Sequence, residues 1–270
     1  MQEEATTLEL VDVLSPRTLD EALRLKSERP YAVPIQGGTD VMVELNFDRA
    51  RPKALLNLNE VAELRGWSRR NGSLWLGAGL TYAEAMQTPV AELLPALAEA
   101  SRTVGGPQIR NRGTVGGNLG TASPAGDALP PLLVCDARVT VASANGEREL
   151  ALTEFLTGPK QNALRDDELV LGVTVAADES QQTFMKIGPR NAMVIAVVSL
   201  ALRVDGELVA AFGSAGPVPG VVRAPLDAVD AFPEQVATAA SPIDDVRGTA
   251  TYRRYALRVL ARRALERCLA

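Results

Sequence analysis

The chain has 270 residues, 46% of them hydrophobic, 23% charged and 4% aromatic, with a formal net charge of −5. That length buries one large core or, more readily, two to three small ones, and neither the charge nor the polarity suits a disordered chain or a polyanion binder. Few aromatics argue against nucleic-acid stacking, no apolar run reaches the roughly 20 residues of a bilayer span, and an acidic N-terminus without an apolar h-region leaves a cytoplasmic location as the default.

In chain order, residues 8–14 read as a strand. A helix over TLDEALRLK follows, with Thr18 and Glu21 in capping-box spacing. AVPIQ is a second short strand that runs into Gly37, Gly38, Thr39 and Asp40, and TDVMVELNF is a short helix with Val41, Met42 and Leu45 on its apolar side. KALLNL and GSLWLGAGL are strands. Thr81 and Glu84 mark another capping box, and VAELLPALAEAS is a helix. Helix and strand resume in LPPLLVCDARVTVAS, with Asn145-Gly146 as the hairpin turn into EREL.

A seam lies between residues 158 and 182, where the chain turns polar. It divides residues 1–165, with subdomains of about 1–55 and 56–165, from residues 170–270. Beyond it QTFMKIG, VIAVVSLALRV and ELVAAFGSAG alternate like antiparallel strands, with a turn at Asp205-Gly206. Two helices close the chain. The last is expected to place Tyr252, Tyr255, Ala256, Val259 and Leu260 on its apolar side and Arg254, Arg258 and Arg262 on the other.

Two absences constrain the chemistry. There is no histidine, which removes Ser-His-Asp and Cys-His mechanisms and His-ligated zinc, so no metal site is expected. The two cysteines, Cys135 and Cys268, are too few for an iron–sulfur cluster and suit small apolar fillers in reduced cytosol. Demanding chemistry must therefore come from a bound organic cofactor.

Two loops invite one. A diphosphate needs backbone N–H groups without a Cβ in the way, preferably at a helix N-terminus. Gly37-Gly38-Thr39 offers this after a strand, and Thr114, Gly116, Gly117 and Asn118 offer it again within RNRGTVGGNLGTASPAGD, residues 110–127. Neither loop has the G-x-G-x-x-G or G-K-[ST] pattern, so each alone reads more readily as a structural turn. Arg110 and Arg112 suit phosphate attraction or local carboxylate pairing, and Asp127 also suits the N-cap of the helix at ALPPLL.

Taken together, PIQGGTDVM and PQIRNRGTVGGNLGTASPAGD resemble the FAD-binding medium subunit of the molybdenum hydroxylases, the family of carbon monoxide dehydrogenase and xanthine dehydrogenase flavoproteins. FMKIGPRNAMVIAVVSLAL and IDDVRGTATYRRYALRVLARRAL extend the resemblance over almost the whole chain. It implies an α+β fold of the vanillyl-alcohol-oxidase type, with two subdomains holding the flavin, followed by a C-terminal α+β domain with an antiparallel sheet and terminal helices.

The resemblance places the first pyrophosphate loop on Ile35, Gln36, Gly37, Gly38, Thr39 and Asp40, and the second on Thr114, Gly116, Gly117 and Asn118 with Thr121 following. It assigns Asp127 to the ribose of the adenosine half, and the backbone near Leu169 and the amine of Lys186 to the isoalloxazine ring. FAD is then the only redox centre. Partners are a large molybdopterin-binding subunit and a small subunit with two 2Fe–2S clusters, and the acceptor is NAD, quinone or oxygen. Gln36 departs from the small apolar residue common at its position. A stand-alone flavin reductase or oxidase of the same fold, and a nucleotide-binding scaffold without redox activity, stay open as alternatives.

Overall fold

Short strands and helices build three successive layers, each around one main sheet, with a further two-stranded ribbon of residues 156–158 and 161–162. The computed structural model describes residues 11–70, 72–176, 180–191 and 193–270. The expected strand over residues 8–14 is described only in part, because residues 8–10 lie outside that set.

The first layer comprises β1 (Asp12–Leu14), α1 (Leu19–Glu28), β2 (Val33–Ile35), α2 (Val41–Asn46) and β3 (Ala54–Asn57). Its three strands are parallel, in the order β1-β3-β2. The Thr18 hydroxyl accepts from the Glu21 amide and caps α1, while the Glu21 carboxylate turns to the Arg17 amide. That is half of the expected capping box, displaced by one residue.

The middle layer runs through β4 (Trp67–Arg70), β5 (Ser73–Gly77), α3 (Tyr82–Ala85), α4 (Val90–Leu93), α5 (Pro95–Thr103), α6 (Pro107–Arg110), α7 (Val115–Thr121) and α8 (Leu129–Val134). It continues with β6 (Arg138–Ser143), β7 (Gly146–Ala151), α9 (Leu152–Phe155), β8 (Leu156–Gly158), β9 (Gln161–Asn162) and β10 (Leu169–Ala176). Thr81 and Glu84 form the complete reciprocal box at α3. The helix expected over VAELLPALAEAS is broken in two, because Pro95 cannot supply the amide that would carry α4 into α5. The β6–β7 turn is Ala144-Asn145, one residue earlier than expected, and Gly146 already pairs with Ser143.

β10 lies in the middle of the five-stranded antiparallel sheet, in the order β4-β5-β10-β6-β7. Residues 170–176 therefore belong to the middle layer. The sequence boundary placed them in the C-terminal unit because a polar loop, residues 158–168, precedes them.

The third layer is an antiparallel meander of β11 (Gln181–Ile187), β12 (Val198–Val204), β13 (Glu207–Gly213) and β14 (Gly220–Pro225), closed by α10 (Phe232–Ala239) and α11 (Ala250–Leu269). Period-2 alternation gives this sheet two apolar faces. Val198, Leu200, Leu202, Leu208, Ala210 and Phe212 bury against the closing helices, while Phe184, Ala201, Val209 and Ala211 join the core of the first two layers. Lys186 and Ser199, paired across β11 and β12, lie on that second face with Phe184 and Ala201.

The buried stripe of α11 is Arg253, Ala256, Leu257, Leu260, Ala261, Ala264 and Leu265. Tyr252 and Tyr255, expected inside, are 46% and 60% exposed. Register on the sheet favours small and aliphatic residues there and turns the helix by about one residue. The architecture is α+β, and among the described residues no helix is long and apolar enough to cross a membrane.

Candidate functional site

β2 ends at Ile35, whose carbonyl accepts from the Leu58 amide, and the chain then turns through Gln36–Asp40 into α2. Gly38 has φ +73°, in the left-handed region that glycine adopts freely. Gly37 sits against the second loop: a Cβ there would lie 2.0 Å from the Arg112 carbonyl oxygen. Arg112 Nη2 donates to the Gln36 carbonyl at 3.2 Å and to Asn59 Oδ1 at 3.3 Å, which fastens the loops together. Thr121 Oγ1 donates to Asp40 Oδ2 at 2.8 Å and adds a second tie. Arg110 turns the other way, onto the Val104 and Gly105 carbonyls. Both arginines are bound to protein oxygens and serve loop architecture.

The two loops differ in what they leave free. Among the described residues, the amides of Gly37, Gly38, Thr39 and Asp40 have no protein acceptor. The start of α7 is saturated instead. Val115 N donates to Leu80 O, Gly116 N to Ala78 O, Gly117 N to the capping Thr114 Oγ1 and Asn118 N to Thr114 O. Gly116 is needed for that packing, since a Cβ would lie 2.5 Å from the Ala78 side chain.

Gly117 and Gly120 are exposed on α7, and around Gly120 there is open space. The second loop therefore contributes a bare helix face more than a set of unclaimed amides. The sequence expected donors at both loops. Asn118 Oδ1 on the same helix is buried and has no donor.

Farther along the run, Asp127 pairs with Lys186 of β11 at 2.6 Å, with side chains 10% and 5% exposed. Lys186 Nζ also lies 3.3 Å from the Thr103 carbonyl and 3.4 Å from its hydroxyl. Burial raises the Asp127 pKa, and Lys186 pulls it back down. Asp127 Oδ1 is left buried without a donor. Tyr82 is buried nearby, its phenol raised well above the usual range by burial first and then by the Asp127 and Asp40 carboxylates.

Asp127 does not cap α8, whose N-cap is Ala128. Its contact with Lys186 brings together two residues that the resemblance assigns to the adenosine ribose and to the ring system. Leu169, at the start of β10, is 1% exposed and offers only backbone. Its predecessor Glu168 is held by Arg148 Nε and Nη2 and by the Arg165 amide, each at 2.7 Å. These hydrogen bonds hold its carboxyl below the usual range, with Arg148 the largest cause.

The family model described as "FAD binding domain in molybdopterin dehydrogenase" matches residues 7–177, which include both glycine loops and Asp127. The chain belongs to this family. It is 29% identical over 274 residues to the putative xanthine dehydrogenase FAD-binding subunit XdhB of Escherichia coli K12, covering 94% of each chain. It is 32% identical over 213 residues to the nicotinate dehydrogenase FAD-subunit of Eubacterium barkeri, covering 75% of this chain and 72% of the relative. A solved structure of carbon monoxide dehydrogenase from Hydrogenophaga pseudoflava matches its fold with a TM-score of 0.88 at 23% identity, over 96% of this chain and 97% of the other.

This is an FAD-binding oxidoreductase subunit of the molybdenum hydroxylase type. Its residues fit the cofactor: unclaimed amides at Gly37–Asp40 suit phosphate oxygens, and the buried orphan acceptors Asn118 Oδ1 and Asp127 Oδ1 suit hydroxyl or ring N–H donors. Among the described residues no acidic or cysteine cluster is placed to hold a metal.

Proposed function

We propose that this FAD-binding subunit is the electron relay of a heteromeric molybdenum hydroxylase. It takes electrons from 2Fe–2S clusters of a small partner subunit, fed by a large molybdopterin-binding subunit, and passes them to an external acceptor such as NAD, quinone or oxygen. The observation that carries this reading is the row of amides from Gly37 to Asp40 without protein acceptors, tied through Asp40 and Thr121 to α7 with its bare Gly117 and Gly120 face. FAD supplies, when bound, a centre that exchanges electrons singly or in pairs.

The protein's part is binding and electrostatics. Gly37, Gly38, Thr39 and Asp40 hold the diphosphate through backbone donors, in the loop that Ile35 and Gln36 open. Thr114, Gly116, Gly117, Asn118 and Thr121 shape the wall opposite. Asp127 accepts from the ligand and keeps Lys186 in place, and Lys186 puts a positive charge where reduction adds a negative one. Leu169 presents backbone to the ring. With no histidine in the chain, no residue here is asked for proton transfer to a hydroxylated substrate. Titration of the folded, FAD-free chain with FAD tests the binding half of the proposal. It should yield a yellow protein that keeps its flavin through gel filtration, and a folded chain that stays colourless would overturn it.

A further inference from the structure

Arg253 lies in the first turn of α11 and is 2% exposed, an unusual place for a guanidinium. Its Nη1 donates to the Ser214 carbonyl at 2.7 Å, and its Nη2 pairs with Asp245. Asp245 is itself shared with Arg247, through the Arg247 amide at 2.8 Å and Nη2 at 2.7 Å. Ser214 follows the last residue of β13 and has φ +60°, a left-handed conformation that a non-glycine residue keeps only where neighbours fix it.

Its amide donates to the Pro124 carbonyl at 2.8 Å. The loop lies so close here that a Cβ on Gly213 would stand 3.2 Å from the same oxygen. Beyond Pro124, the Ala125 amide bonds to Ser123 Oγ and the Gly126 amide to the Ser123 carbonyl, and the next residue is Asp127.

We propose that Arg253 is a positioning residue for the cofactor site: it fixes Ser214, which clamps the Pro124 turn and so sets the place of Asp127. The inference rests on the reading that the Asp127–Lys186 end of the cleft receives FAD. Packing alone does not call for the charge, since burying a guanidinium carries a desolvation cost that an aliphatic side chain avoids. Its use is geometric. One planar fork reaches Asp245 on the surface segment and Ser214 at the end of the sheet, and a lysine at the same position has a single ammonium to divide between them.

The test uses the full chain with Arg253→Met and Arg253→Lys. In the FAD-free proteins, amide exchange at Ser214 and Gly126 should quicken about tenfold or more while the amides of β5 and β10 keep their wild-type rates. The FAD dissociation constant should rise about tenfold in Arg253→Met and by less in Arg253→Lys. If Arg253→Met does not fold, the Lys variant gives the same two readouts. Wild-type exchange at both amides, or wild-type FAD affinity in a folded variant, overturns the proposal. A wild-type chain that takes up no FAD would instead defeat the function reading, and the exchange rates would still decide whether Arg253 holds the turn.

Discussion

Asp127 and Lys186, 59 residues apart in sequence, meet at 2.6 Å and join the loop after α7 to the edge strand of the C-terminal sheet. The pair lies between layers, so it is a structural tie.

Removing the ammonium leaves a buried carboxylate without its cation, so Lys186→Met should cost about 3–5 kcal/mol of stability at neutral pH. Burial already raises the Asp127 carboxyl above its ordinary 3.8, and losing Lys186 removes the main opposing influence. A carboxyl raised in the folded state contributes stability below its ordinary value and loses it as pH rises through the raised one. Thermal melts of Lys186→Met should therefore fall as pH rises above about 4, more steeply than wild type. Adding Asp127→Asn should flatten that slope.

The glycines separate into structural and ligand-facing positions. Gly37→Ala forces a Cβ to within 2.0 Å of the Arg112 carbonyl, which should cost about 1–3 kcal/mol before any cofactor is present. Gly120→Ala meets open space in a helix and should stabilise the FAD-free chain by up to about 1 kcal/mol. Chemical denaturation of both variants without FAD checks the contrast. Gly117→Val places a branched side chain on the bare face beside Thr114 Oγ1 and should lose FAD while the C-terminal layer stays folded.

Much of this was legible locally. Thr18 and Thr81 cap their helices as their spacing implies, and the alternation through β11–β13 puts Lys186 on the inward face. Both glycine loops adjoin a helix start, as their sequences imply. What escaped depends on packing between distant segments. No local pattern says that β10 is captured between β5 and β6, or that the α7 amides are consumed by Leu80 and Ala78. The buried Arg253 reads in sequence as one more arginine on a basic helix, because its partners Ser214 and Asp245 come together only in the folded chain.

Glu168 anchors the start of β10 and is 3% exposed. Its carboxyl is held below the ordinary 4.5, chiefly by Arg148. A depressed carboxyl gives stability above its ordinary value and loses it as pH falls through the depressed one. Glu168→Gln should cost about 1–3 kcal/mol at pH 7 and much less well below pH 4, as measured by denaturant melts across that range.

Cys268, near the end of α11, has its thiol pushed up to about 11 by burial and by Glu99. At pH 8 roughly a thousandth of it is thiolate, so alkylation by iodoacetamide should be far slower than for free cysteine. Breaking the Glu99–Arg267 contact with Glu99→Gln removes one source of that shift and should speed labelling, as followed by intact mass.

The relay role is tested most directly by following the visible absorbance of bound flavin under anaerobic conditions after adding xanthine, nicotinate or another hydroxylase substrate. The FAD-loaded chain alone should keep its colour. The same chain assembled with molybdenum and iron–sulfur partner subunits should bleach with the substrate of the complex and recover its colour on addition of an acceptor. Rapid bleaching of the partner-free chain would contradict the account and make the protein a self-sufficient flavoenzyme.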